Sequence, residues 1–357
     1  NDVNVSFVRK PVFYGLLGVI GIQYIAMTTS VYPGLSFWSQ IFRSSGVFFF
    51  THIVLLSVLF ASIFKKNDWT IVRRSIVVSS TLFSFLYYFG TQGLKVGGRL
   101  LGVDFSLNGM NLGNETFAGA YVVLGILFTI IELGKIENRK QKVLFYIFAI
   151  IQFCNPLLLN FKLWLGQINP FANPLDLFGS AKASSIVAFG VLMYWILYSV
   201  IQKIKNSNTK KIVNTIHSGV WIVSIVVGLT LLFTSGSIVQ KKYIEVSSGA
   251  RIIIWESAQE AIRERPLLGW GPETFQLAIQ GHFDNRLNLD ENIGEIWFDR
   301  AHNYFIDILI ASGILGLISI VALFGLAISV LYRAFKEGKI SHHEYTFMIV
   351  FIVAYIV

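Results

Sequence analysis

The sequence predicts an all-α protein: a polytopic transmembrane helix bundle of about nine or more spans, with one large, partly helical loop outside the membrane. Three observations carry this. Only 14% of the 357 residues are charged and 54% are hydrophobic, against about 25% charged in an ordinary soluble domain, so there is too little polar surface to coat soluble domains of this size. The apolar residues fall in runs near the roughly 20 residues that cross a bilayer. The 31 Phe, 14 Tyr and 8 Trp also exclude a solvated, disordered coil. A mean hydropathy of +0.62 agrees. The single cysteine, Cys154, excludes an internal disulfide framework and any Cys-based zinc site.

The runs lie at 12–29, 46–64, 75–90, 116–133, 143–160, 183–201, 212–235 and 303–332. Each is expected to be helical because hydrocarbon offers no partner to free backbone groups. Arg9 and Lys10 before the first run resemble a signal peptide, but no small-residue cleavage site follows, so the run reads as the first span. The last run, 345–357, is shorter than a span and reads as a ninth span cut short. The chain thus divides into helices 1–7 over residues 1–235, a loop over 236–302, and helix 8 with the start of helix 9 over 303–357.

Charge placement orients the bundle. Seventeen of the 29 basic residues lie in short loops on one side, among them Lys65, Lys66, Arg73, Arg74, Arg139, Lys140, Lys203 and Lys210. The short loops opposite hold five: Arg43, Lys95, Arg99, Lys162 and Lys182. Positive residues stay in the cytoplasm, so the N-terminus is expected there and the large loop outside. That loop carries seven basic and ten acidic residues, which is no nucleic-acid patch. The net charge of +9 is topological, an anchor to anionic lipid.

Within the loop, Ile252, Trp255, Ala258 and Ile262 recur at helical spacing, and Pro266 is expected to end that helix. A tight turn, Leu267-Leu268-Gly269-Trp270-Gly271, follows. Pro272 is then suited to open a short helix through Phe275, Ala278 and Ile279. A third helical pattern is expected to carry Glu291, Glu295, Asp299 and His302 into the eighth span. Two readings of the loop stand side by side: an interfacial amphipathic helix whose arginines meet phospholipid headgroups, or an active site. The Glu291–Glu295–Asp299–His302 ladder has metal-ligand chemistry, but an acidic solvated face interrupted by Gly294 is simpler, and no metal is assigned.

The motifs add to this. Gly249-Ala250-Arg251-Ile252-Ile253-Ile254-Trp255 leads to Pro266-Leu267-Leu268-Gly269-Trp270-Gly271-Pro272, then Phe275, Asp299-Arg300-Ala301-His302-Asn303 and Gly313-Ile314-Leu315-Gly316. Upstream stand Gly113-Asn114-Glu115-Thr116-Phe117-Ala118 and Phe178-Gly179-Ser180-Ala181-Lys182-Ala183. Over roughly residues 95 to 332 the chain resembles the superfamily of O-antigen ligases and O-antigen polymerases, which includes protein O-glycan ligases. One departure is Ala181-Lys182, where the family usually carries an arginine after the serine. A lysine keeps the charge but not the planar fork that suits phosphate.

The resemblance implies a glycosyltransferase of the bacterial cytoplasmic (inner) membrane. It would move a glycan from a polyprenyl (undecaprenyl) diphosphate to a hydroxyl on a lipid core, a growing glycan or a protein, outside the cytoplasm and without a cofactor. Arg251 and His302 are then the catalytic candidates, the first holding the leaving diphosphate and the second taking the acceptor proton. Lys182, Arg99, Arg300, Asn303, Asp299 and Trp255 are candidates for binding substrate, Asp299 also for orienting the His302 ring and Trp255 for stacking on a sugar. Glu132 is expected to snorkel at the cytoplasmic end of its span, and Asp307 to partner Arg300. A lipid-linked glycan transporter or flippase, or a peptidoglycan-type membrane glycosyltransferase, would share the spans. The single long loop and the lack of an internal repeat favour the ligase or polymerase. The acceptor that separates those two is not legible.

Overall fold

The computed structural model describes residues 10–40, 44–91, 99–100, 103–104, 115–158, 182–234, 236–241, 250–288 and 298–356. Among them the chain is helical except for turns and a two-residue antiparallel pairing, β1 (Arg99–Leu100) with β2 (Val103–Asp104). The helices are α1 (Pro11–Thr28), α2 (Pro33–Trp38), α3 (Val47–Ile63), α4 (Lys66–Thr91), α5 (Glu115–Leu133), α6 (Arg139–Leu158), α7 (Lys182–Ile201), α8 (Ser207–Phe233), α9 (Ala250–Glu264), α10 (Phe275–Gln280), α11 (Tyr304–Lys336) and α12 (His342–Ile356).

Each expected span coincides with a helix over its described residues, and the expected count of nine is not confirmed among them. Four helices among the described residues are long and apolar enough to cross a membrane: Pro11–Thr28, Ser184–Ile201, Ser207–Leu232 and Tyr304–Lys336. Val47–Ile63 and Ala118–Leu133 are apolar but shorter. The runs at 75–90 and 143–160 belong to helices that also carry Asp68, Arg73 and Arg74, or Arg139, Lys140 and Lys142, and these charges dilute their hydropathy. Arg73 and Arg74 accordingly lie inside α4 and not in a connecting loop.

The chain forms two compact units. In the unit of residues 1–64 and 226–336, α1 packs along α11. Gly15 permits this, since a Cβ there would press on Leu323 and Leu326 at 3.0 Å. The loop helices build a core of their own in which Ile254, Trp255, Ala258, Phe275, Leu287, Phe298 and Ile310 are buried together. The stripe on α9 therefore faces protein, which replaces the reading of a helix laid on lipid headgroups. Helix α9 ends at Glu264, just before Pro266. Pro272 does not open the next helix, which begins at Phe275.

The eighth span departs most from expectation. Gly313 has φ 62° and ψ −163° inside α11, so the helix is broken there. The break frees two carbonyls and two amides, and the 266–271 turn takes all four. Trp270 N–H donates to the Ile310 carbonyl (2.7 Å) and Gly271 N–H to that of Ala311 (3.1 Å). In return Ile314 N–H donates to Pro266 (2.8 Å) and Leu315 N–H to Leu267 (3.3 Å). Irregular backbone inside a membrane protein survives only where protein satisfies it. A Cβ on Gly313 would collide with the Leu267 carbonyl.

In the unit of residues 65–225 and 337–357, helices α4, α5, α6, α7 and α12 enclose Ile126, Leu127, Ile130, Ile131, Ala188 and Phe347. Several polar side chains inside it are paired, although His217 Nδ1 is buried without a hydrogen-bond partner. Gln152 donates to Ser80 Oγ (2.9 Å) and Thr81 Oγ1 (3.0 Å) and accepts from Thr129 Oγ1 (2.7 Å). Glu132 does not snorkel. It is 0% exposed, with Arg73 Nε donating to Oε1 (2.8 Å) and Arg74 Nε to Oε2 (3.0 Å). Burial of a lone carboxylate costs several kcal/mol, about enough to force pairing or protonation, and here α4 supplies two guanidinium partners.

Candidate functional site

Four stretches of the first unit meet among the described residues: the start of α9, the 266–273 turn, the 298–303 turn, and the described part of the stretch between α1 and α3. Helix α9 brings Arg251 in its first turn, one helical turn before Trp255. Trp255 is 7% exposed, and its Nε1–H donates to the Ala301 carbonyl at 2.8 Å. The Ala301 N–H in turn donates to Asp307 Oδ1 at 2.7 Å. Both backbone groups of Ala301 are thereby fixed. Asn303 Oδ1 accepts from Phe305 N–H (3.1 Å) and Ile306 N–H (3.3 Å), which is the N-cap pattern that satisfies the first free amides of a helix.

His302 sits between these fixed points. It is exposed, has a left-handed backbone at φ 52°, and meets the Phe298 ring edge-on with centroids 6.0 Å apart. The expected helix through Asp299 and His302 does not exist, because residues 298–303 are non-helical. The acidic ladder therefore shares no helical face at its Asp299–His302 end, and its Glu291 and Glu295 end lies outside the described residues. Among the described residues no group of three His, Cys, Asp or Glu is placed to hold a metal ion.

Arg251 is electrostatically distinct. It is half-buried, and its Nε is buried without a hydrogen-bond partner. A buried donor left unmade costs about 1–3 kcal/mol, more when charged. An anion offered at this point would remove that cost. Arg300 is different. Its Nη2 donates to Glu273 Oε1 and to Ser45 Oγ (2.7 Å), so it pairs with Glu273 where Asp307 was expected. On the loop surface, a side-chain hydrogen bond from Arg286 holds the Asp284 carboxyl below its ordinary range.

The structure thus gathers Arg251, Trp255, Asp299, Arg300, His302 and Asn303 in one region. Two of them turn out to be fasteners. The buried Trp255 pins Ala301, so its face is not open to a sugar, and the Asn303 carbonyl caps α11. Lys182 opens α7 and Arg99 lies in β1, but their side chains lie outside what is described. Sequence reasoning passed over Glu273, Ser39 and Ser45. The signal available was Glu273 itself, a charge directly after the Gly-Trp-Gly-Pro turn.

A family model described as O-antigen ligase matches residues 171–321. That segment contains Arg251, the 266–271 turn, His302 and the break at Gly313. No curated protein matches the chain.

Proposed function

With residues 171–321 as an O-antigen ligase domain in an O-antigen ligase-like membrane protein, we propose that the chain transfers a glycan from a polyprenyl diphosphate to an acceptor hydroxyl at the outer face of the membrane. Arg251 holds the diphosphate as its charge grows on cleavage of the sugar–phosphate bond. A guanidinium binds phosphate through paired, charge-assisted hydrogen bonds, and stabilising charge that develops in the transition state is a large catalytic term. His302 accepts the proton of the attacking hydroxyl. The oxygen then bonds to the anomeric carbon, and the polyprenyl diphosphate leaves with the electrons of the broken bond.

The observation that supports this best is the buried, unpartnered Arg251 Nε. It lies one helical turn from the tryptophan that fixes Ala301, next to an exposed histidine. The positive-inside bias favours the same external face. The test uses purified protein in nanodiscs, with donor binding and product formation measured separately. Loss of a general base typically lowers rates about 10²–10⁴-fold, so His302→Ala is expected to bind donor and fail to transfer. Arg251→Ala is expected to lose both. Full transfer by His302→Ala would remove the proposed base. Donor that is carried across the bilayer but not consumed would favour a transporter.

A further inference from the structure

Four non-glycine residues among those described have left-handed backbone: Ser39, Ser44, Glu273 and His302. All four lie in the external region of one unit. Such conformations cost of order 1–3 kcal/mol each and persist only where surrounding contacts over-determine them. The contacts here converge on one carboxylate. Glu273 Oε2 accepts from Ser39 Oγ (2.8 Å), and Oε1 accepts from Ser45 Oγ (3.2 Å) and from Arg300 Nη2. The Glu273 side chain is 11% exposed. Gln40 Nε2 donates to Gln276 Oε1 (3.2 Å), and Val31 N–H to the Trp270 carbonyl (3.2 Å). The stretch between α1 and α3 is therefore fastened to the 270–276 turn at several points, and Glu273 extends the fastening to Arg300, two residues before His302.

We infer that Glu273 is a positioning residue for the transfer reaction: through Arg300 it fixes the turn that presents His302, and through Ser39 and Ser45 it ties that turn to the first external stretch. This rests on the assignment of His302 as the base. Among the described residues the contacts that hold the 300–303 turn include those of the Arg300 side chain, the Ala301 amide, the Ala301 carbonyl and the Asn303 cap. The Glu273 contact is the one that anchors the turn to another loop through a side-chain ion pair. It also neutralises Arg300, so that Arg300 is an internal partner and the diphosphate falls to Arg251. A proton acceptor is effective only in near-attack geometry, and a misplacement of about 1 Å can cost on the order of 10²-fold in rate.

The experiment compares Glu273→Gln, Glu273→Ala and Arg300→Ala with the full chain in nanodiscs. Glu273→Ala is expected to lower kcat about 100-fold while the donor KM moves by no more than about threefold, the pattern of a lost transition-state contact. Glu273→Gln keeps an oxygen acceptor for one of the two serines and is expected to retain more activity. The Glu273→Ala, Arg300→Ala double variant is expected to lose no more than the worse single one, since residues acting as one unit are not additive. Amide hydrogen exchange over residues 298–303 is expected to speed up about tenfold in Glu273→Gln, with Ala250–Glu264 unchanged, as local opening of that turn becomes cheaper. A raised KM at constant kcat would overturn the inference by making Glu273 a substrate ligand. Unchanged kcat, or losses that multiply in the double variant, would also overturn it. If the unmodified protein transfers nothing, the functional reading falls, and the exchange measurement alone decides on Glu273. If Glu273→Ala fails to fold, Glu273→Gln and Ser39→Ala carry the same comparison.

Discussion

The two units satisfy their buried polar groups by different mixtures of means. In the unit of residues 65–225 and 337–357 the means are side chains: Glu132 has both oxygens taken by Arg73 and Arg74, and Gln152 is bonded at both ends of its amide. In the other unit a backbone exchange is added to the side-chain network around Glu273. A broken helix and a loop turn exchange four hydrogen bonds, while Arg251 Nε is left buried without a partner. Glu132 is a charge buried with both oxygens taken, whereas half-buried Arg251 keeps one buried nitrogen without a partner. A closed charge centre contributes to holding helices together. An open one has its cost unrelieved, and the relief is expected to come from a ligand.

Three substitutions sharpen that contrast. The largest effect is expected at the backbone splice. Gly313→Ala places a Cβ in a glycine-only conformation against the Leu267 carbonyl, and strain plus overpacking together cost on the order of 4 kcal/mol. Denaturation of the purified protein in detergent should show the loss, and a value under about 1 kcal/mol would mean that the turn does not need the break.

Next comes the closed centre. Glu132→Ala leaves two arginines facing each other in a buried site, and removing one partner of a buried pair costs about 3–5 kcal/mol. The lower end is expected here, because Arg74 is 43% exposed at its side chain and can turn to water. The same denaturation assay reads it, and transfer per folded molecule should stay at the level of the unmodified protein.

The two kinds of feature were not equally legible in the sequence. Local pattern placed the apolar runs on helices and the end of α9 before Pro266, since these signals act within a few residues. Arg251 and His302 are candidates through the family resemblance. What stayed hidden depends on partners far along the chain. Glu273 meets Ser39 across 234 positions and Ser45 across 228, and Glu132 meets Arg73 across 59. Gly313 lies in a long, largely apolar run, and the hydrogen bonds offered by residues 266–271 explain why the helix breaks there. The false helix through Asp299 and His302 has the same origin. Its spacing is helical, but the fixing of Ala301 by Trp255 and Asp307 wins over local preference.

The smallest effect on stability is expected at the open centre, and it tests the central claim most directly. Arg251→Met replaces the guanidinium, whose Nε is buried without a partner, with an apolar chain of similar length. Thermal denaturation of both proteins should be followed with and without a short isoprenyl diphosphate. The account predicts that Arg251→Met is at least as stable as the unmodified protein when no ligand is present, because an unrelieved cost has been removed. It also predicts that the ligand stabilises only the unmodified protein, by about 2.7 kcal/mol at a hundredfold excess over its Kd. A clear loss of stability in Arg251→Met without ligand, or equal stabilisation of both proteins by the diphosphate, would contradict it.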